Sequence, residues 1–410
     1  MHPLPGDSMK IVCIGAGPAG LYFAISAKLR DAGHEITVIE RDPPGATYGW
    51  GVVYWDDLLD TLYVNDRESA QRIRAASTVW QDQVVAMRGG RGYLTGYGFS
   101  VNRAVLLDIL VQRAVDLGVD VQFERAVDDI AEFADADLVV VADGANSRNR
   151  QRYADQFGTE LHQGRNPYLW LGTGRVFDKF TFGYEQTPHG WIWFHAYPSS
   201  AGISTFIVEC QEETWRALGF DQLDDKATTR LLEEIFDEHL AGHALISAAR
   251  GKPASWQRFT QVYNQTWRHA NAVLVGDAAH TTHFTIGSGT RLAMIDAVVL
   301  AEKLRENEQI GNALKEFDGE GHAAMRVVQA AARTSMAWFE NIDRYTDRNA
   351  VDFCFAMSSR SGLQPPWRYQ LHLLMQKPLV RQALRIFDRG MLWVRARRRG
   401  ESWWVQPTLT

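Results

Sequence analysis

Cysteine is scarce in this chain: Cys13, Cys210 and Cys354 are three in 410 residues, far apart and without the spacing of a metal-binding pair. That excludes a disulfide scaffold and a structural zinc site, and it suits a reducing cytoplasm. No run of ~18 apolar residues occurs, so no membrane span is expected. The opening MHPLPGDSMK lacks a long apolar stretch followed by a small-residue cleavage site, so no secretory leader is expected either. Repeats, linkers and low-complexity tracts are missing as well. With 46% hydrophobic and 22% charged residues, the chain has the balance of a soluble globular protein. At roughly 150 residues per domain, its length suggests two closely associated domains.

Charge is present but unevenly spread. The net charge is −6, yet residues 341–410 hold 12 Lys/Arg against 5 Asp/Glu, which leaves about −13 for the first 340. In this tail Arg395, Arg397, Arg398 and Arg399 are interleaved with Trp393, Trp403 and Trp404. Such a segment serves as a solvated helix face or as a host for an anionic ligand. No nucleic-acid-binding motif accompanies it, so no nucleic-acid partner is expected.

The chain opens as a βαβ unit. Lys10–Ile14 is a buried-strand run, Leu21–Arg30 has helical spacing, and Glu35–Glu40 is a second strand. Residues 48–91 form a Gly-, Trp- and Asp-rich excursion with helical pieces. A helix over 105–117, a strand over 119–124 and the apolar run 137–142 follow. From Tyr168 to Cys210 aromatic and β-branched residues alternate between turns, which predicts antiparallel strands with one covered face. A helix is expected over 223–240. Ala272–Val275 resumes the first domain, and the remainder is helical. The expected fold is therefore α/β. A discontinuous Rossmann-type domain (9–160 and 265–345) holds an inserted antiparallel-sheet substrate domain (161–264), and a helical basic segment (346–410) follows.

Gly15-Ala16-Gly17-Pro18-Ala19-Gly20 follows a strand and opens a helix. Gly15 allows the tight turn, Gly17 lets a pyrophosphate approach the backbone, and Gly20 packs helix against strand. Glu40 ends the next strand 20 residues after Gly20, where an acid bonds a ribose hydroxyl. This predicts dinucleotide binding. Two later stretches, DLVVVADGANSRNR (137–150) and VLVGDAAHTTHFTIGSGTRLAMIDA (273–297), put Asp143-Gly144 and Gly276-Asp277 at strand ends.

Together these three fingerprints resemble the flavoprotein aromatic hydroxylases, single-component FAD monooxygenases similar to para-hydroxybenzoate hydroxylase. The resemblance implies that Asp277 bonds the FAD ribityl chain, that Gly287, Ser288, Gly289 and Thr290 present amides near the flavin ring, and that Arg103 lies against the cofactor. It also places Arg41, Trp50, Gly51 and Asp143 in the cofactor site. FAD is expected to be non-covalent. Only one dinucleotide fingerprint exists, so NADH or NADPH would bind transiently. The pattern departs from the general family at His283-Phe284, Ile286, Arg291 and the stretch 49–59. These departures resemble the branch containing the violacein-pathway hydroxylase and the salicylyl-CoA 5-hydroxylases, and the likeness runs from about residue 9 to 345.

That branch implies hydroxylation of an activated aromatic ring by O2 through a flavin C4a-hydroperoxide, with salicylyl-CoA to gentisyl-CoA foremost. An anthraniloyl or other aryl-CoA, or an indole or tryptophan-derived substrate without CoA, are the alternatives. A flavin-binding protein without turnover is the reading from another class. Trp191-Ile192-Trp193 is similar to the W-x-W of flavin halogenases, but it continues as Phe194-His195-Ala196 and no lysine stands between Glu40 and Trp80. His195, in phase with Trp191 and Trp193, is either a core histidine or a base for a ring hydroxyl. His283 is expected beside the flavin as a second catalytic candidate, and His280 is structural. Trp193 and Phe284 are expected to touch the ring, and Arg397, Arg398 and Arg399 the CoA phosphates. A monomer or homodimer is expected.

Overall fold

The computed structural model describes residues 8–401 except 48, 250, 251, 361 and 363. Trp403 and Trp404 lie outside the described residues.

The first sheet has six strands in the spatial order Asp120–Gln122, Glu35–Ile39, Lys10–Ile14, Leu138–Val141, Ala272–Leu274 and Arg268–His269. All neighbours run parallel except the last pair. Leu138, Val139, Val140 and Val141 are completely buried. That is why this strand reads as an unbroken apolar run: helices cover both faces of a parallel sheet. Helices Pro18–Arg30 and Gly289–Glu306 pack against each other beside the sheet. The strand at 272–274 joins a sheet begun at residue 10, so the dinucleotide-binding part is discontinuous, as its sequence implied.

The second sheet has nine strands and draws on more of the chain than expected. Its main path runs Leu245–Ile246, Glu160–Thr173, Ser204–Cys210, Gly190–Pro198, Phe180–Thr187, Thr78–Met87, Gly90–Asn102 and Gly51–Tyr54, and Gln257–Tyr263 also pairs with Glu160–Thr173. Three of these strands come from the excursion before residue 103, so a substrate sheet confined to 161–264 is too narrow. Thr78–Met87 pairs parallel with Phe180–Thr187, Gln83 opposite Phe180 and Met87 opposite Tyr184. A partner so distant leaves no local signal. Asp82, at φ 67, and a register shift between Gln81 and Gln83 also interrupt the alternation.

One covered face was expected for these strands, and both are covered. Along Gly190–Pro198, Trp191 and Trp193 face a cluster with Trp338, Phe339 and Phe353 from the later helices. Ile192, Phe194 and Ala196 face Leu232 and Phe236 on the other side. Phe194 lies flat on the neighbouring strand, where a Cβ on Gly183 would sit 2.1 Å from its ring. The C-terminal helices Ala350–Ser358, Pro366–Met375 and Pro378–Arg399 close the molecule over the second sheet. Arg385 Nε reaches fully buried Asp82 at 2.6 Å, so this basic segment is bound to the body rather than free.

Candidate functional site

The first turn after Lys10–Ile14 shows why its glycines stand where they do. Gly15 has φ +106, and a Cβ there would meet the Ala142 carbonyl oxygen at 2.4 Å. A Cβ on Gly20 would meet the Gly15 oxygen at 2.1 Å, which fixes the close approach of helix to strand. A Cβ on Gly17 would have nothing within 4 Å, because it would point into a groove. Gly17 caps the helix with no side chain bonded to the free amides, so the helix N-terminus is open to an anion. Gly15, Ala16, Gly17, Glu40, Arg41 and Asp143 line this groove of about 270 Å3, with Pro18, Ala19 and Gly20 in the turn behind. Glu40 Oε2 accepts from Ala16 N at 2.8 Å and Oε1 from Asp42 N at 3.0 Å, which fixes the carboxylate at the rim.

Arg103 and Asp277 line both this groove and a larger cavity of about 680 Å3. Asn102 sets the first of them, since its side chain accepts from Ala104 N and Val105 N and starts the helix at Arg103. Burial lowers the Arg103 pKa, and Arg103 Nε has no partner among the described residues. Asp277 is deep in the protein yet open to the cavity; burial raises its pKa while Arg103 opposes the shift. Gly287, Ser288, Gly289 and Thr290 line the same cavity at the start of helix Gly289–Glu306.

Aromatic side chains wall the rest: Tyr168, Trp170, Phe180, Phe182, Tyr197 and Phe284. Polar side chains interrupt them, among them His195, Ser335 and Arg360. His195 lines the cavity from the middle of its strand, with its ring edge-on to Phe182 at 4.8 Å and Nε2 unpartnered. Burial first, and the charge of Arg360 second, lower its pKa to about 3. Arg360 donates from Nε to Ser335 Oγ (2.7 Å), from Nη1 to Met357 O (2.7 Å) and from Nη2 to Thr285 O (3.0 Å). Ser335 Oγ is in turn 2.7 Å from Thr285 Oγ1, which lies 2.8 Å from His283 Nδ1.

The sequence family described as FAD binding domain matches residues 114–332. Salicyloyl-CoA 5-hydroxylase from a Streptomyces species is 36% identical over 411 residues, spanning 97% of this chain and 74% of that protein. The chain belongs to the FAD-dependent aromatic monooxygenases. A 3-hydroxy-4-methyl-anthranilyl-[aryl-carrier protein] 5-monooxygenase from Streptosporangium sibiricum is 34% identical, over 88% of this chain and 96% of its own length. Among solved structures, a 2-methyl-3-hydroxypyridine-5-carboxylic acid oxygenase shares the fold with a TM-score of 0.67 at 19% identity, covering 82% of this chain and 92% of that one.

The monooxygenase binds FAD, and the residues fit it. The open cradle at Gly17 and the uncapped helix N-terminus suit the pyrophosphate. Arg103 Nε and Asp143 Oδ1 are buried without partners among the described residues, which fits polar atoms of the cofactor. Several expected contacts lie elsewhere. Trp50 packs over Gly172, where a Cβ would sit 2.6 Å from the indole, and it lines neither cavity. Trp193 is fully buried behind the wall, stacked on Phe339, with Nε1 donating to Glu209 Oε2. His283 is also behind the wall, packed on Phe259 and Phe284. Burial, with His195 and Arg360 adding, pushes its pKa to about 3. Neither histidine has the near-neutral pKa that suits a general base.

Arg399 is buried and pairs with Asp56 and Asp60 at 2.8 Å each, so it is not available to a phosphate. Arg397 lies over Trp393, and none of Arg397, Arg398 and Arg399 lines the groove or the larger cavity. His280 is structural as expected: burial opposes its protonation, but Asp296, 2.8 Å from Nε2, raises its pKa. Arg291 pairs with Asp57 at 2.6 Å. Phe284 does line the cavity. Sequence reasoning missed Arg360, Ser335 and the aromatic wall, which come from elements far apart in the chain and share no motif.

Proposed function

We propose that this monooxygenase hydroxylates the ring of an aryl thioester, with salicylyl-CoA as first substrate and the carbon para to the ring hydroxyl as the site of attack. The observation that carries this reading is the aromatic cavity that shares Arg103 and Asp277 with the dinucleotide groove. Its aromatic wall suits a benzenoid ring and the polar groups set among those aromatics suit ring substituents. Both similar enzymes act, by their names, at position 5 of an aryl group carried as salicyloyl-CoA or on an aryl-carrier protein.

Bound FAD, reduced by NADH or NADPH, supplies the oxygen-activating centre. The chain's own groups position and enclose. Tyr168, Phe180, Phe182 and Phe284 exclude water from the ring. His195, held neutral, accepts a hydrogen bond from a ring substituent rather than taking its proton. For the CoA handle, Arg258 lines both the cavity and an adjoining hollow of about 630 Å3 that contains Arg165 and Arg344; there Arg258 pairs with Glu212 and Arg165 with Glu340, so a phosphate has to displace those carboxylates. This hollow replaces the tail arginines as the proposed route for the phosphates.

Salicylate and salicylyl-CoA should be added separately to the FAD-loaded protein with NADH or NADPH, while nicotinamide oxidation and product mass are followed. Hydroxylation confined to the thioester supports the reading. Equal turnover of free salicylate sinks the CoA requirement, and no substrate-stimulated oxidation with any aryl compound favours a flavin-binding protein without turnover.

A further inference from the structure

Arg360 is an arginine inside an aromatic cavity with no acid to balance it. All three of its protein acceptors are neutral oxygens, and among the described residues no carboxylate pairs with it. A guanidinium carries five N–H bonds, and three are used, so two remain for a ligand. Its direction is fixed. The three acceptors sit on the helix Ile310–Glu340, at the end of the helix Ala350–Ser358, and in the loop before Gly287. The hydroxyl chain through Ser335 and Thr285 to His283 anchors that arrangement.

His195 presents the complementary feature. It is 2% exposed, lines the same cavity, and its Nε2 has no hydrogen-bond partner among the described residues. Both groups lie against one ring, His195 at 5.4 Å and the Arg360 guanidinium at 5.8 Å from the Phe339 centroid. With its proton on Nδ1, His195 makes Nε2 an acceptor, and the cavity then offers both a donor and an acceptor on its wall. A buried polar atom left without a partner is costly, so such a pair discriminates strongly between ligands that satisfy it and ligands that do not.

We propose that Arg360 and His195 read an ortho pair on the substrate: Arg360 donates to the acyl carbonyl oxygen, and His195 Nε2 accepts from the hydroxyl or amino group on the adjacent ring carbon. This rests on the aryl-thioester reading and adds a selection rule to it. A benzoyl thioester leaves His195 unpartnered, and a 4-hydroxybenzoyl thioester carries its hydroxyl on the wrong carbon.

The test uses the FAD-loaded protein without nicotinamide, with perturbation of flavin absorbance as the binding readout. The probes are the N-acetylcysteamine thioesters of salicylic, anthranilic, benzoic and 4-hydroxybenzoic acids, which omit the nucleotide handle. The salicyl and anthraniloyl thioesters should bind at least about tenfold tighter than the other two. His195→Phe should abolish that preference while leaving benzoyl affinity within about threefold. Arg360→Met should weaken all four by about tenfold, with Arg360→Lys partly restoring them. Benzoyl binding within threefold of salicyl in the unaltered protein, or an intact ortho preference in His195→Phe, overturns the pairing, whatever the Arg360 variants do. Equal binding of all four, with hydroxylation once NADH or NADPH is then added, removes only the pairing. No binding and no turnover of any thioester removes the substrate reading as well.

Discussion

Trp193 and Glu209 face each other across adjacent strands, and the indole Nε1 donates to the carboxylate Oε2 at 3.2 Å. Asn166 Nδ2 donates to the other oxygen at 2.8 Å. Burial outweighs both bonds and raises the Glu209 pKa to about 7. An acid whose folded pKa lies above its unfolded value makes the folded state bind more protons, so its contribution falls as pH rises from about 4.5 to 7. Glu209→Gln should remove that loss, since Asn166 can turn its amide to accept. The variant should gain up to about 3 kcal/mol relative to wild type between pH 5 and pH 8 in denaturant titrations. A constant difference across this range would show that Glu209 does not titrate there.

The histidines act in the opposite direction. His195 and His283 are held neutral at about 3, below the ordinary imidazole value. The unfolded chain therefore binds more protons between about 3 and 6.5, and stability is lost as pH falls through this window. His283→Gln should flatten the acid side of the stability profile. For the same reason, the acid limb of kcat/KM should show no pKa near 6.5 from His195. An inflection there that disappears in His195→Gln would restore the general-base role.

FAD retention tests the groove. Asp277→Ala and Glu40→Ala should each weaken flavin binding by about 1–3 kcal/mol, measured by flavin release on dialysis. Glu40 should show the additional effect of loosening the loop, because it holds Ala16 N and Asp42 N. Acid precipitation of the wild type should leave all flavin in the supernatant.

The arginines separate structure from substrate binding. Arg399→Ala leaves Asp56, 4% exposed, to Arg395 and Tyr97 alone, and should cost about 2–4 kcal/mol by thermal unfolding. Arg397→Ala with Arg398→Ala should change neither stability nor KM. Arg258→Ala should raise KM for the CoA thioester several-fold with little change in kcat, and less so at high salt. An unchanged KM in that variant would place the phosphates elsewhere.

The parallel sheet and its cofactor turn were legible because their determinants are local. Ile11–Ile14 must be apolar on both faces, and Gly20 answers a clash with Gly15 five residues away, although the backbone that Gly15 itself approaches is that of distant Ala142 and Gly17 is left clear for a ligand. The aromatic strands from 160 to 210 were legible for the same reason. What covers them was not. Trp193 stacks on Phe339, and Asp82 and Asp56 pair with Arg385, Arg395 and Arg399, all from remote elements. A basic, Trp-containing helix looks the same in sequence whether its charges face solvent or buried carboxylates. Arg360 has no motif; only the fold shows that it reaches the cavity without an acid beside it.

The parallel pairing of Gln83–Met87 with Phe180–Tyr184 bears on how the protein is made. The hairpin of Thr78–Met87 and Gly90–Asn102 leaves the ribosome with one edge bare, and its partner strand follows about a hundred residues later. Any fragment ending before residue 180 keeps that edge, with Val84 and Val85 on it, open as a template for self-association. A flavin half and a substrate half expressed as separate chains should therefore self-associate through that edge, whereas the whole chain covers it.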